Sequence, residues 1–332
     1  MTNTFDVLTI GNAIVDIIAP VEDQFITDEG MTKSIMHLID ADRSAELYDK
    51  MPEGKALISG GSGANTAAGV AALGGRAAFV GKVSNDELGR AFAADFDKAG
   101  IFYETDYLIG GPATARCMIF VTADGERTMN TYLGASQHLS ERDIVEETIG
   151  AASFTYMEGY LWDPPEAKKA FVRAAHYAHK HERAAAITLS DPFCVNRYRE
   201  EFRDLIRSKT MDYVFANIEE LKALYQTDLH NAVRAVAEEA EVAAVTMGAD
   251  GAMGIVNGEI VSVPAFPVDK VVDVTGAGDM FAAGFLLAIA RGQTMDQALS
   301  LGCLAASEVI SHVGARPVAD LKAMAEAEGV LV

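Results

Sequence analysis

Strand-like and helix-like runs alternate along most of this chain, and the alternation breaks at one place. Residues 5–11, 77–81, 154–157, 184–189, 213–216 and 242–247 read as short apolar strands. Helical spacing fills most of the intervals, including 41–51, 86–99, 140–151, 165–181, 196–207, 218–225 and 230–239. A parallel pair needs a crossover, and a helix supplies it, so this order predicts an α/β fold: a parallel sheet covered on both faces. The break comes at residues 107–109, 113–121 and 127–132, which are strand-like with no helix between them. Asp124-Gly125 joins the last two as a tight hairpin turn. Strands joined this way cannot extend a parallel sheet, so they belong to another layer. With strand-like runs at 13–19 and 34–39 they predict a small β-sheet lid, inserted at about 13–40 and 105–134. No linker, repeat or low-complexity stretch divides the chain, so one domain over residues 1–332 is expected.

Near the C-terminal end an extended run, residues 270–274, meets Thr275-Gly276-Ala277-Gly278-Asp279, and an apolar helical segment follows. Gly276 and Gly278 let backbone N–H groups come close to a ligand, and a helix start favours an anion. Asp279 is an awkward neighbour for an anion, since like charges repel. It makes sense as a base that takes the proton from a hydroxyl attacking a phosphate; it equally completes a helix N-terminus. A second glycine-rich helix start, Gly60-Gly61-Ser62-Gly63-Ala64-Asn65-Thr66, lacks the last glycine of the dinucleotide fingerprint. It reads either as a tight turn or as backbone and Asn65 amide contacts to a polyhydroxyl ligand.

Other positions carry weaker signals. Asp16 sits among Ile14, Val15, Ile17 and Ile18, a charge in an apolar strand that must face a cleft, a partner or water. Asn217 and Glu220 stand three apart at a helix start, either a capping pair or a means of organising Mg²⁺ through water. Thr246, Gly248 and Gly251 end a strand as a backbone-lined pocket or as a plain turn. Arg127 lies in the lid hairpin, exposed or able to swing over a phosphoryl group.

The chain has 332 residues, half of them apolar, and a net charge of −21 from 27 basic and 48 acidic side chains. That excess argues against nucleic acid or an anionic membrane as partner and leaves a small phosphorylated ligand open. Cys117, Cys194 and Cys303 are far apart and fit reduced thiols. Residues 1–6 have no basic stretch, and no apolar run reaches transmembrane length, so a soluble cytoplasmic protein is expected. A Walker loop, H-E-x-x-H and G-x-S-x-G are all missing.

These patterns, in this order, resemble the ribokinase-like (phosphofructokinase-B) carbohydrate and nucleoside kinases over nearly the whole chain. Residues 273–279 are similar to that family's D-T-x-G-A-G-D, with Val274 departing at the second position; Asn217 and Glu220 match its N-x-x-E, and Thr246, Gly248 and Gly251 its T-x-G-x-x-G. Within the family, Gly11-Asn12 through Asp16-Ile17 resembles the opening of adenosine kinases, as do residues 189–193 and 156–160. The Gly-Ala-Asn ending at Asn65 is closer to ribokinase. The resemblance implies a three-layer α/β/α ribokinase-like core with a β lid and an ATP-dependent kinase acting on adenosine or, alternatively, a sugar; a non-catalytic ligand-binding relative is a third reading, against which the presence of Asp279 and both glycines counts. It implies Asp279 as base, amides of Gly276, Ala277 and Gly278 as anion hole, and Arg127 over the phosphates. Asn12, Asp16, Gly60, Gly61 and Asn65 would bind the acceptor, with Asn12 and Asp16 on the ribose hydroxyls. Asn217, Thr246, Gly248 and Gly251 would bind the nucleotide, and Glu220 would hold Mg²⁺ through water. A monovalent cation near Asp273 and residues 311–315, and a monomer or homodimer paired through the lid, are further implications.

Overall fold

The computed structural model describes residues 4–52 and 55–331. Its strands, in chain order, are β1 (Phe5–Ile10), β2 (Ile14–Pro20), β3 (Met36–Leu38), β4 (Ala56–Gly60), β5 (Ala77–Val80), β6 (Ala115–Val121), β7 (Arg127–Tyr132), β8 (Ala152–Glu158), β9 (Ala184–Thr188), β10 (Tyr213–Asn217), β11 (Val242–Thr246), β12 (Ala252–Val256) and β13 (Glu259–Val263). Eight of them form the core sheet in the order β13-β12-β11-β10-β9-β8-β1-β5. All its pairs are parallel except those made by β12 and β13, the hairpin that the Asn257-Gly258 turn closes.

Side chains alternate between the two faces of this sheet with the period of two that a strand imposes. On β8, Phe154 and Tyr156 point to one core and Met157 to the other; on β11, Val242 and Ala244 oppose Ala243 and Val245. The first face is covered by Ser62–Ala72, Glu87–Lys98, Ala277–Ala290 and Met295–Val309, and the second by Pro165–Lys180, Pro192–Arg207, Ile218–Tyr225 and Leu229–Glu239. Residues 280–288 of Ala277–Ala290 are all buried, as expected of a helix apolar on every side. No described helix is long and apolar enough to cross a membrane.

The other five strands form the lid, in the order β3-β7-β6-β2-β4. The β6–β7 hairpin is antiparallel, as its turn requires, and β2 pairs with β6 in parallel. Three expectations change here. β4 is a lid strand that the glycine-rich stretch after it concealed. The run at 107–109 stays beside the core, where Leu108 bridges Ser84, and does not join the lid. The helix expected over 140–151 splits into Glu141–Asp143 and Glu146–Gly150, because Ser140 and Asp143 close a capping box within one turn.

Candidate active site

Gly276 is the N-cap of Ala277–Ala290 and holds φ of +82°. A Cβ there would lie 2.7 Å from the Ala315 backbone, so both conformation and space select glycine. Of the three amides expected to form an anion hole, Ala277 N–H is already spent on Val274 O at 3.2 Å. The N–H groups of Gly276 and Gly278 have no protein acceptor among the described residues, and beyond its chain neighbours and its own helix backbone nothing lies within 4 Å of where a Cβ on Gly278 would be. Of the expected anion hole, two amides at a helix start are therefore free, open to one side.

Asp279 lies in the first turn of the same helix, with both oxygens engaged by Ser62–Ala72. Ser62 Oγ donates to Oδ1 at 2.6 Å and Asn65 Nδ2 donates to Oδ2 at 3.1 Å. Burial pushes the Asp279 carboxyl up to about 6, with the two hydrogen bonds opposing that rise. A carboxylate tuned there is a stronger base than a solvated one yet still ionised at neutral pH. Ser62 was not among the sequence candidates, although it stands inside the glycine-rich run that contains them.

A cavity of about 800 Å³ opens between the lid and the C-terminal ends of the core strands. Asp16, Gly61, Ser62 and Asn65 line it, with Ile14, Ile18, Ile58, Cys117, Ile119 and Met129 as an apolar wall. Gly61 holds φ of +101°, and a Cβ there would sit 2.0 Å from Asn12 O. Gly60 lies behind it, against the Asp16 carboxylate. Burial pushes Asp16 up to about 7 against the pull of Arg127 and Arg316, and no described group hydrogen-bonds its side chain.

Asn12 is a correction. It is 2% exposed and lies outside the cavity wall. Its amide donates to Glu158 and accepts from Ser136 Oγ at 2.8 Å, so it supports the site from behind. The centre of that support is Glu158, at the end of β8, which also accepts Gly63 N–H at 2.6 Å. Glu158 thus ties the start of Ser62–Ala72, and through it Ser62 and Asn65, to the core sheet. Burial raises it to about 7. The available signal was a charge at the end of an apolar strand, as Asp16 is a charge inside one.

A second cavity, of about 820 Å³, is lined by Thr246, Gly248 and Gly251 with Asn217, and by Ala265, Phe266, Pro267 and Val268, which the sequence reading did not single out. Asn217, Thr246, Val274, Ala277, Gly278 and Phe281 face both cavities, so the two meet at the Gly276–Asp279 turn. Asn217 and Glu220 form a reciprocal capping box: Glu220 N donates to Asn217 Oδ1 at 2.8 Å, and Asn217 N donates to Glu220 Oε2 at 3.0 Å. The structural alternative thus describes this pair, with Glu220 still at the cavity wall and raised to about 7 by burial.

Arg127 also departs from expectation. It reaches across the cavity from β7 to an ion pair with Asp273, rather than standing free for a phosphoryl group. Asp273 further accepts from Thr275 N at 3.0 Å, Thr275 Oγ1 at 2.6 Å and Gly314 N at 3.0 Å. The carboxylate expected beside a monovalent cation is therefore already neutralised.

The model of the pfkB family of carbohydrate kinases matches residues 6–321. This chain belongs to that family. A probable sugar kinase protein from Rhizobium etli CFN 42 superposes on the pfkB kinase described here with a TM-score of 0.91 and 50% identity, covering 99% of this chain and 100% of its own. The adenosine kinase of Sinorhizobium meliloti gives a TM-score of 0.89 and 50% identity over 98% and 99%. The adenosine kinase of Saccharomyces cerevisiae is 27% identical over 94% of this chain and 96% of its own. The pfkB kinase is accordingly a phosphotransferase with an alcohol group as acceptor, of the nucleoside or sugar kinase class.

Proposed function

We infer that this kinase transfers the γ-phosphoryl group of ATP to the primary hydroxyl of a ribonucleoside, adenosine foremost, giving the 5′-monophosphate and ADP. The observation that carries the reading is the position of Asp279, at the turn where two cavities meet. One cavity offers a carboxylate, Asp16, and an apolar wall that suits a purine; the other offers a strand end and a glycine turn for the nucleotide. Asp279 takes the proton from the attacking hydroxyl as its oxygen bonds to phosphorus and the bond to the ADP oxygen breaks. The free N–H groups of Gly276 and Gly278 meet the charge on the transferring group, so the acceleration comes mainly from positioning and electrostatics. The adenosine kinases among the relatives support this choice.

Mg²⁺ would neutralise phosphate charge when bound with the nucleotide. The residues fit a hydrated ion brought by ATP. No group of three metal-binding side chains stands ready among the described residues, and Glu220, its oxygens engaged by Asn217, would hold such an ion only through water.

A sugar acceptor is the second reading, favoured by the Rhizobium etli relative and by the ribokinase-like Gly63-Ala64-Asn65. A panel of nucleosides, ribose and fructose assayed for ATP-dependent ADP release decides between them. Adenosine turnover is expected, with Asp279→Asn lowering kcat by roughly 10²- to 10⁴-fold. Turnover of sugars and no nucleoside would overturn the first reading, and near-normal kcat in folded Asp279→Asn would remove the base.

A further inference from the structure

Arg316 stands in the wall of the first cavity with a donor deficit that no described group fills. Its Nη1 donates to Asp95 at 2.8 Å, and its guanidinium carbon lies 5.5 Å from the centre of the buried Phe96 ring. Nε and Nη2 are closed off from solvent and have no hydrogen-bond partner. A buried N–H without an acceptor is costly, and such groups in a native structure call for an explanation. Asp16 lines the same cavity, close enough for the two charges to act on each other yet not bonded to Arg316. The other charged groups there are paired: Arg127 with Asp273, although its Nε is likewise closed off without an acceptor, Glu220 with Asn217, and Asp279 with Ser62 and Asn65.

A carboxylate only accepts and a guanidinium only donates, whereas a hydroxyl does both. A lone anion beside this pair is repelled by Asp16 and a lone cation by Arg316. A neutral ligand with adjacent hydroxyls satisfies both at once, giving its protons to the carboxylate and offering its lone pairs to the guanidinium. We propose that Arg316 is a second acceptor-binding residue, donating to the vicinal hydroxyls whose protons Asp16 accepts, so that the pair selects acceptors by an intact diol. Arg316 belongs to none of the sequence motifs, and the inference rests on the proposed kinase function.

The test compares kcat/KM for an acceptor and its deoxy analogue in the full-length protein, Arg316→Met and Arg316→Lys. The pairs are adenosine with 2′-deoxyadenosine and ribose with 2-deoxyribose. Arg316→Met is expected to lose on the order of 10- to 100-fold on the intact diol, mostly in KM, and less than about threefold on the analogue. Arg316→Lys, which keeps the charge and loses the fork, should fall between. Equal losses on both members of a pair, or no loss, would overturn the proposal. If thermal unfolding shows that the Met variant does not fold, the Lys variant decides on the same ratio. Turnover of the ribose pair alone overturns the nucleoside reading while still deciding the role of Arg316. An unchanged ratio with adenosine overturns that role and leaves the nucleoside reading standing.

Discussion

Four carboxyl groups around the site, Asp16, Glu158, Glu220 and Asp279, are all held above their ordinary range, and burial is the largest cause in each. The sign of the consequence for folding follows from proton counting. A raised carboxyl keeps its proton in the folded state after the unfolded chain has lost it, so stability falls as pH rises between the two values. The window runs from about 4 to about 7 for Asp16 and to about 6 for Asp279. The unliganded protein should therefore melt at a lower temperature at pH 8 than at pH 5.5, and Asp16→Asn should reduce that difference; an unchanged pH dependence in the variant counts against a raised Asp16. With Asp279 as the proposed base, activity runs the opposite way, because the base must be ionised: kcat should climb through about pH 6. Asp279 was legible in the sequence because two glycines and a helix start surround it. Glu158 was not, because at the end of an apolar strand nothing in its spacing names the two backbone segments it joins. Asn12 was legible as a polar residue in an odd place, but its direction belongs to the tertiary fold.

At the level of elements, the lid and the segment leading into the Gly276–Asp279 turn are fastened to each other by Arg127 and Asp273, whose side chains are 13% and 10% exposed. A pair so enclosed is costly to break from one side, because the remaining charge stays buried. A double-mutant cycle with Arg127→Met and Asp273→Asn, read by chemical denaturation, should give a coupling of roughly 1–3 kcal/mol. A coupling near zero would mean that the two side chains act independently. The sequence showed the lid through its hairpin and its missing helices, which are local signals. It did not show β4, since residues 56–60 run into glycines that drew the reading toward a turn. Nor did it show which of two plausible roles Asn217 and Glu220 fill, since a capping box and a hydrated metal site ask for the same residues at the same spacing. The partner of Arg127 lies 146 residues away in sequence, out of reach of any periodicity.

For the whole molecule, the parallel order of the core sheet was the most legible feature, because crossover helices leave a strong alternating pattern. It also places the site: Thr188, Asn217 and Thr246, the last residues of three parallel strands, all face the first cavity. Ligands in such folds collect at the carboxyl ends of strands, where loops and helix starts converge. The net charge of −21 extends to the first cavity, where Arg127 and Arg316 stand among Asp16, Glu220 and Asp279, so any attraction for phosphate rests on the local amides at the helix start rather than on overall charge.

Val274, Ala277, Gly278 and Phe281 belong to the walls of both cavities, and that shared partition has a consequence for inhibition. Two ligands held a phosphate chain apart can be replaced by one tethered molecule, which loses its freedom of tumbling once instead of twice. A nucleoside joined to an adenosine through a chain of phosphates should compete with acceptor and nucleotide alike, and bind about 10²- to 10⁴-fold more tightly than either half. Titration calorimetry across a series of chain lengths would then act as a ruler, its tightest member measuring the span from one chamber to the other.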